Sequence, residues 1–139
     1  MRVYFSTDFD PYFLKVLVIL NIASSNGEHT LSSWPETEAF LRECAANRPD
    51  DIWLSGDTDY PCLAMMLSGC YACVHYFLND NGDMWQSVGQ EEQDFTFLVN
   101  GEQTEMPGDT VISLEQAIAC ARQFFDSPER PDCIEWQEL

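Results

Sequence analysis

Three Asn-Gly dipeptides, Asn26-Gly27, Asn81-Gly82 and Asn100-Gly101, punctuate the chain and constrain its fold more than any other local feature. Asparagine and glycine tolerate the positive φ angles that a two-residue type I′ turn requires at its centre. Each dipeptide therefore predicts a reversal between neighbouring antiparallel strands. Around them lie short apolar or alternating runs over residues 15–23, 28–31, 52–54, 62–67, 70–78, 84–88 and 95–99. Linkers rich in Gly, Asn, Asp and Pro, over 57–61, 68–69 and 80–83, separate these runs as hairpin connections do. Phe95, Phe97 and Val99 share one face of their strand, as do Ala72, Val74 and Tyr76. The expected sheet has one wet face.

Two stretches depart from this period of two. Ser33-Trp34-Pro35-Glu36 is a capping box with proline in the first turn, where its missing N–H costs nothing. Phe40, Leu41, Cys44 and Ala45 then give the helix a buried side, and Pro49 closes it. Ser113 and Gln116 form a second box, followed by Leu114, Ala117, Ile118, Ala121, Phe124 and Phe125 on one arc of a 3.6-residue wheel. Pro128 disfavours helical geometry at Ser127, which predicts a stop near Asp126. After a turn through Glu129, Arg130 and Pro131, Ile134 and Trp136 alternate with Cys133, Glu135 and Gln137, the period of a short half-buried strand.

The predicted fold class is α+β: an antiparallel β-meander of about five to seven strands with two α-helices packed on one face. A single domain over residues 1–139 accommodates it, a length that buries roughly two-thirds of the unfolded surface. Residues 1–14 stand apart as an extra N-terminal segment, in which Val3-Tyr4-Phe5 reads as a strand and 6–11 as polar turn material.

Hydrophobic residues make up 45% of the chain and aromatics 13%, enough to exclude disorder despite the charge. That charge is extreme: 24 acidic residues against 6 basic ones, a formal −18. Between Arg48 and Arg122 there is no Lys or Arg, while carboxylates recur from Asp50 to Glu115. Such a field repels nucleic acid and anionic membranes and steers a basic protein partner inward. The competing explanation is an acidic surface kept for solubility or high salt. The apolar run Phe13 to Ile22 follows Asp8 and Asp10, lacks a basic leader and is too short to span a bilayer, so the chain reads as cytoplasmic.

A search for reactive groups finds little. Cys70 and Cys73 have C-x-x-C spacing, but residues three apart in a strand point to opposite faces, so the two sulfurs do not converge on one metal. Cys44 and Cys120 sit in helical patterns as small hydrophobes. Cys73 and His75 share a strand face about 6 to 7 Å apart at Cα with no third group to orient the imidazole, and His29 is isolated. Residues 79–83 fail as a calcium loop, because Gly82 at position six puts Phe77 and Val88 where carboxylates are needed. No catalytic residue, metal ligand or cofactor is expected. Asp80, Asp83, Trp85, Gln86, Glu91, Glu92 and Asp94 instead combine an aromatic anchor with rim charges, the composition of a protein-binding surface, with Trp85 facing either that surface or the core.

The C-terminal stretch carries a resemblance. Ala121-Arg122-Gln123-Phe124-Phe125, the turn with Arg130-Pro131, and Ile134-x-Trp136 resemble the signature of a family of bacterial immunity proteins, the first-numbered of the Imm-type families, with a weaker match around Ala72 to Phe77. These are the antitoxins of polymorphic toxin systems, and members often accompany deaminase toxins. The resemblance implies an immunity protein, monomeric when free, that forms a one-to-one complex with a zinc-dependent DNA or RNA deaminase and occludes its active site without turnover. Two alternatives stay open from the residues alone: a small enzyme using Cys73 and His75 or an acidic pair, and a general acidic adaptor or nucleic-acid mimic.

Overall fold

The computed structural model describes residues 2–5, 16–24 and 27–139. Strands β1 (Arg2–Phe5), β2 (Val16–Ser24) and β3 (Gly27–Leu31) open the chain and lead into helix α1 (Trp34–Asn47). Strands β4 (Asp50–Ser55), β5 (Cys62–Ser68), β6 (Tyr71–Phe77) and β7 (Met84–Ser87) follow, then the hairpin β8 (Phe95–Val99) and β9 (Glu102–Met106). A 3₁₀ turn over Gly108–Thr110, the two-residue β10 (Ile112–Ser113), helix α2 (Leu114–Asp126) and β11 (Trp136–Glu138) complete it. The α+β architecture is the one expected, with antiparallel pairing throughout the described sheet.

The main sheet runs β1-β2-β4-β5-β6-β7-β11, with β3 also on β2 and β10 also on β6. Its nine strands exceed the expected five to seven: the N-terminal segment, as β1, and the C-terminal strand, as β11, join the same sheet, and the two-residue β10 pairs with β6 without an apolar run to announce it. A second difference concerns Phe95–Val99, expected within the meander. It forms a separate two-stranded sheet with β9, turning through Asn100 (φ 51) and Gly101 (φ 80), the positive pair of a type I′ turn. Of the first Asn-Gly turn, Asn26 lies outside the described residues, as do Lys15 and the polar stretch 6–11; Ser24 pairs with Gly27 across that connection.

Both helices begin where their boxes predict. Ser33 Oγ accepts from Glu36 N at 3.3 Å, and Ser113 Oγ accepts from Gln116 N at 3.1 Å while Ser113 N donates to Gln116 Oε1 at 3.0 Å. Helix α2 ends at Asp126, before Pro128. Both helices pack on one face of the sheet. There Leu41, Cys44 and Ala45 of α1 and Ala117, Ile118, Cys120, Ala121, Phe124 and Phe125 of α2 meet Ile22, Ile52, Leu54, Leu63, Met65, Leu67, Val74 and Tyr76. A bidentate contact from Arg42 to Glu115, at 2.8 and 3.0 Å, ties the helices together.

Strand β6 organises the far half. One edge is filled by β5; the other is shared by β7, opposite His75 to Phe77, and β10, opposite Tyr71 and Ala72. The gap between these two partners is closed by a side chain. Ser87, 1% exposed, accepts from Val74 N at 3.0 Å and donates to Thr110 O at 2.7 Å, doing what a neighbouring strand's backbone would do.

Candidate functional site

The face away from the helices has two halves. At the Asp51 and Tyr71 end the β8–β9 hairpin lies across it, burying Phe97 against Cys73 and Val111 with Met66, Phe95 and Met106 around them. Tyr71 packs on Phe95 at 4.5 Å between ring centroids, and Asp51 Oδ1 accepts from Asn100 N at 3.0 Å, so the hairpin is pinned at base and tip. Two glycines permit the loop between β7 and β8 to approach the 3₁₀ turn. A Cβ on Gly89 would fall 1.8 Å from Val111 O, and one on Gly108 would fall 2.3 Å from Glu91 O. Only glycine fits either place.

The other half is open among the described residues. A cross-strand row runs Ala23, Trp53, Ala64, His75, Gln86 and Gln137, with Ser55, Cys62, Phe77 and Met84 in the adjoining row. Trp53 stands on β4 and Phe77 on β6, yet their rings stack at 5.3 Å and 19°. They meet above β5 because Ala64 and Cys62 are small there. His75 stacks on Phe77 at 6.1 Å and shares a 2.9 Å hydrogen bond with Gln86. The Trp53 indole N–H donates to Asp51 Oδ2 at 2.8 Å, which fixes the ring while leaving it 38% exposed. Exposed Leu139 continues the apolar surface beside Met84, to whose carbonyl its N–H donates at 3.0 Å, and the 57–59 and 80–83 loops at these strand ends carry Asp57, Asp59, Asp80 and Asp83.

The residues expected to bind a partner do not form one patch. Asp80 and Asp83 belong to the β6–β7 turn, closed by Leu78 N to Asp83 O at 3.0 Å and Asn79 Nδ2 to Asp83 Oδ2 at 2.8 Å. Glu91, Glu92 and Asp94 lie beyond the opposite end of β7, beside Tyr71 and Phe95. Gln86 faces the open half. Trp85, its neighbour, faces the helix side, where it packs at 5.9 Å on Tyr76 under the Arg130 guanidinium, 4.8 Å from the ring centroid. Strand alternation decides this: Val74, Tyr76 and Trp85 form the core face, and His75, Phe77 and Gln86 the other. Trp53 was missed, although its signal was local. It sits between Ile52 and Leu54, both fully buried, so the tryptophan had to emerge on the far side.

The thiols and imidazole sit in surroundings unlike those of a nucleophile and its base. Cys73 is fully buried under the hairpin, 3.7 Å from Thr110 Oγ1, and burial raises its pKa, the direction opposite to thiolate activation. Burial lowers the pKa of His75, whose ring nitrogen is engaged with Gln86. The Cys44 and Cys62 thiols are likewise pushed by burial up to about 11. Cys70 is exposed while Cys73 is buried, so their C-x-x-C spacing does not converge, and the described residues contain no cluster of three metal-ligating side chains. No described helix is long and apolar enough to cross a membrane.

The charges sort by face. Arg42, Arg122 and Arg130 all lie with the helices, bound to Glu38 and Glu115, to Asp126 and over Trp34, and over Trp85 respectively, and Arg48 caps α1. The strands and loops of the hairpin side, between Arg48 and Arg122, carry none. The open sheet face thus presents stacked aromatics between acidic loops. The Imm1 immunity protein family matches residues 25–138. The chain belongs to that family. Similar to this Imm1 protein is a double-stranded DNA deaminase immunity protein of Burkholderia cenocepacia (strain H111), 32% identical over 87 residues that cover 60% of the present chain and 69% of the relative. The family assignment agrees with the resemblance carried by Arg122 to Phe125, Arg130-Pro131 and Trp136. In the Imm1 fold seen here these residues are scaffold: Phe124 and Phe125 are buried, and Trp136 Nε1 donates to Pro131 O at 2.6 Å.

Proposed function

We propose that this Imm1 protein neutralises a zinc-dependent nucleic-acid deaminase toxin in the cytoplasm, as a monomer that forms a one-to-one complex and performs no chemistry of its own. The observation that carries this reading is the similarity to an immunity protein named for a double-stranded DNA deaminase. The charge map supports it. A deaminase that admits polynucleotide needs a basic approach to its pocket, and a domain of formal charge −18, with no cation between Arg48 and Arg122, is suited to occupy that approach. Inhibition is then exclusion of substrate. The acidic loops at both ends of β7, with Asp80 and Asp83 at one and Glu91, Glu92 and Asp94 at the other, supply long-range attraction, and Gln86 lies between them on the open face. Trp85 contributes by holding the sheet to the C-terminal turn.

Co-expression with the toxin encoded beside this gene tests the reading. Cells should survive, and a one-to-one complex should persist through size exclusion in moderate salt. Cell death with no complex overturns it.

A further inference from the structure

We infer that the partner-recognition surface is the open half of the hairpin-side sheet face, centred on Trp53, Phe77, His75 and Gln86, and that it receives an arginine-bearing loop of a basic protein. This rests on the proposed toxin-neutralising role and names the place where it acts.

Four observations converge. The Trp53 ring is held from below and beside, by Phe77 at 5.3 Å and by the Asp51 carboxylate at 2.8 Å, yet is 38% exposed. An aromatic fixed at no further entropic cost is the kind of residue that dominates protein interfaces. Among the described residues, the hairpin closes the other half and stops short of this one. Exposed Leu139 lies at its margin beside Met84, and the loops at these strand ends carry Asp57, Asp59, Asp80 and Asp83, giving an apolar centre with a charged rim. The arginines with described side chains, Arg42, Arg48, Arg122 and Arg130, lie on the helix side, so none of them competes on this face with an incoming guanidinium. A guanidinium over a tryptophan or phenylalanine ring is attracted by the ring quadrupole, and this chain already uses that contact on its other face, with Arg122 over Trp34 and Arg130 over Trp85. Charge complementarity selects a basic protein, and stacked flat rings select arginine over lysine.

The experiment measures binding of the purified, catalytically inactivated toxin domain encoded beside this gene to three variants. Trp53→Ala removes the anchor, and Gln86→Arg places a cation on the open face, giving up the hydrogen bond to His75 but no aromatic stack. Glu43→Arg makes a comparable charge change on the exposed side of α1. Each of the first two should raise Kd at least about thirty-fold, the scale of a hot-spot loss, with Glu43→Arg within about three-fold of the unsubstituted protein. Melting curves of the free variants identify any loss that comes from unfolding, and Gln86→Arg carries the test if Trp53→Ala is less stable. If the unsubstituted protein binds and both open-face variants bind equally well, the inference is overturned while the immunity role stands. If the unsubstituted protein neither binds nor protects, the immunity reading itself has failed.

Discussion

The two faces of the central sheet are built from the same strands in alternation, and they have been put to opposite uses. On the helix side, Ile52, Leu54, Leu63, Met65, Leu67 and Val74 are sealed beneath two capped helices, and Arg42, Arg122 and Arg130 are engaged with carboxylates or rings. On the hairpin side, a small lid covers one half and leaves Trp53 stacked and open on the other. Each strand thus divides its residues between the buried core and, in the proposed reading, the surface that meets a partner. The separation means that substitutions on one face should change stability with little change in recognition, and those on the other the reverse.

The largest test of that division is Phe124→Ala on the fully buried side of α2. It should cost about 3–5 kcal/mol, read from urea midpoints, because the ring leaves a cavity that packed neighbours only partly fill. At low temperature the folded fraction should still bind its partner with unchanged Kd; a weaker Kd for molecules shown to be folded would break the division. Gly89→Ala comes next, with a loss of about 3 kcal/mol, since the new methyl meets the Val111 backbone, which no rotamer change relieves. This variant should loosen the hairpin half without lowering the helix content seen by circular dichroism.

A smaller effect concerns pH and the open face. His75 has a folded pKa below its ordinary value because burial opposes the charged ring. Above the unfolded pKa, about 6.5, the ring is neutral in both states and contributes no loss. As pH falls below that value the unfolded chain takes up the proton first, so stability declines until the folded pKa is passed. Urea midpoints of the unsubstituted protein and His75→Gln should therefore run parallel above about pH 6.5 and diverge below it, the unsubstituted protein losing more; parallel curves down to pH 5 would remove His75 from the account. Smallest is Arg42→Ala, which breaks the link from α1 to the exposed Glu115 and should cost about 0.2–1 kcal/mol, diminishing further in salt.

The sequence was most informative where local geometry settles the outcome. Ser33 and Ser113 mark the two helix starts, Pro128 marks a stop, and Asn100-Gly101 marks a turn, because each acts through backbone groups within four residues. It was least informative where distant segments meet. Nothing near Ile112 shows that it will pair with Ala72, and nothing in Gly89 or Gly108 shows whose carbonyl lies against it. The Phe95 strand has the alternation of any half-buried strand; that it crosses the sheet as a lid shows only in contacts between residues far apart in sequence, Phe97 with Cys73 and Val111, Tyr71 with Phe95, and Asp51 with Asn100. At the candidate surface, the same alternation that buries Ile52 and Leu54 exposes Trp53, whereas the seven acidic, aromatic and amide positions chosen along 80–94 were neighbours in sequence and were separated by the strand between them.

The Ser87 seam on β6 also orders events in time. Its local partners, the β5–β6 and β6–β7 hairpins, close over a few residues, whereas β10 reaches the same edge only after a detour of roughly 40 residues, a slower and entropically dearer search. The Val74 to Ser87 bond forms with the β6–β7 hairpin, whereas the Ser87 to Thr110 bond waits on the later segment and should form after the transition state for folding, acting chiefly on how fast the folded protein comes apart. For an immunity protein, that hydroxyl should bear on the lifetime of the fold as well as its shape.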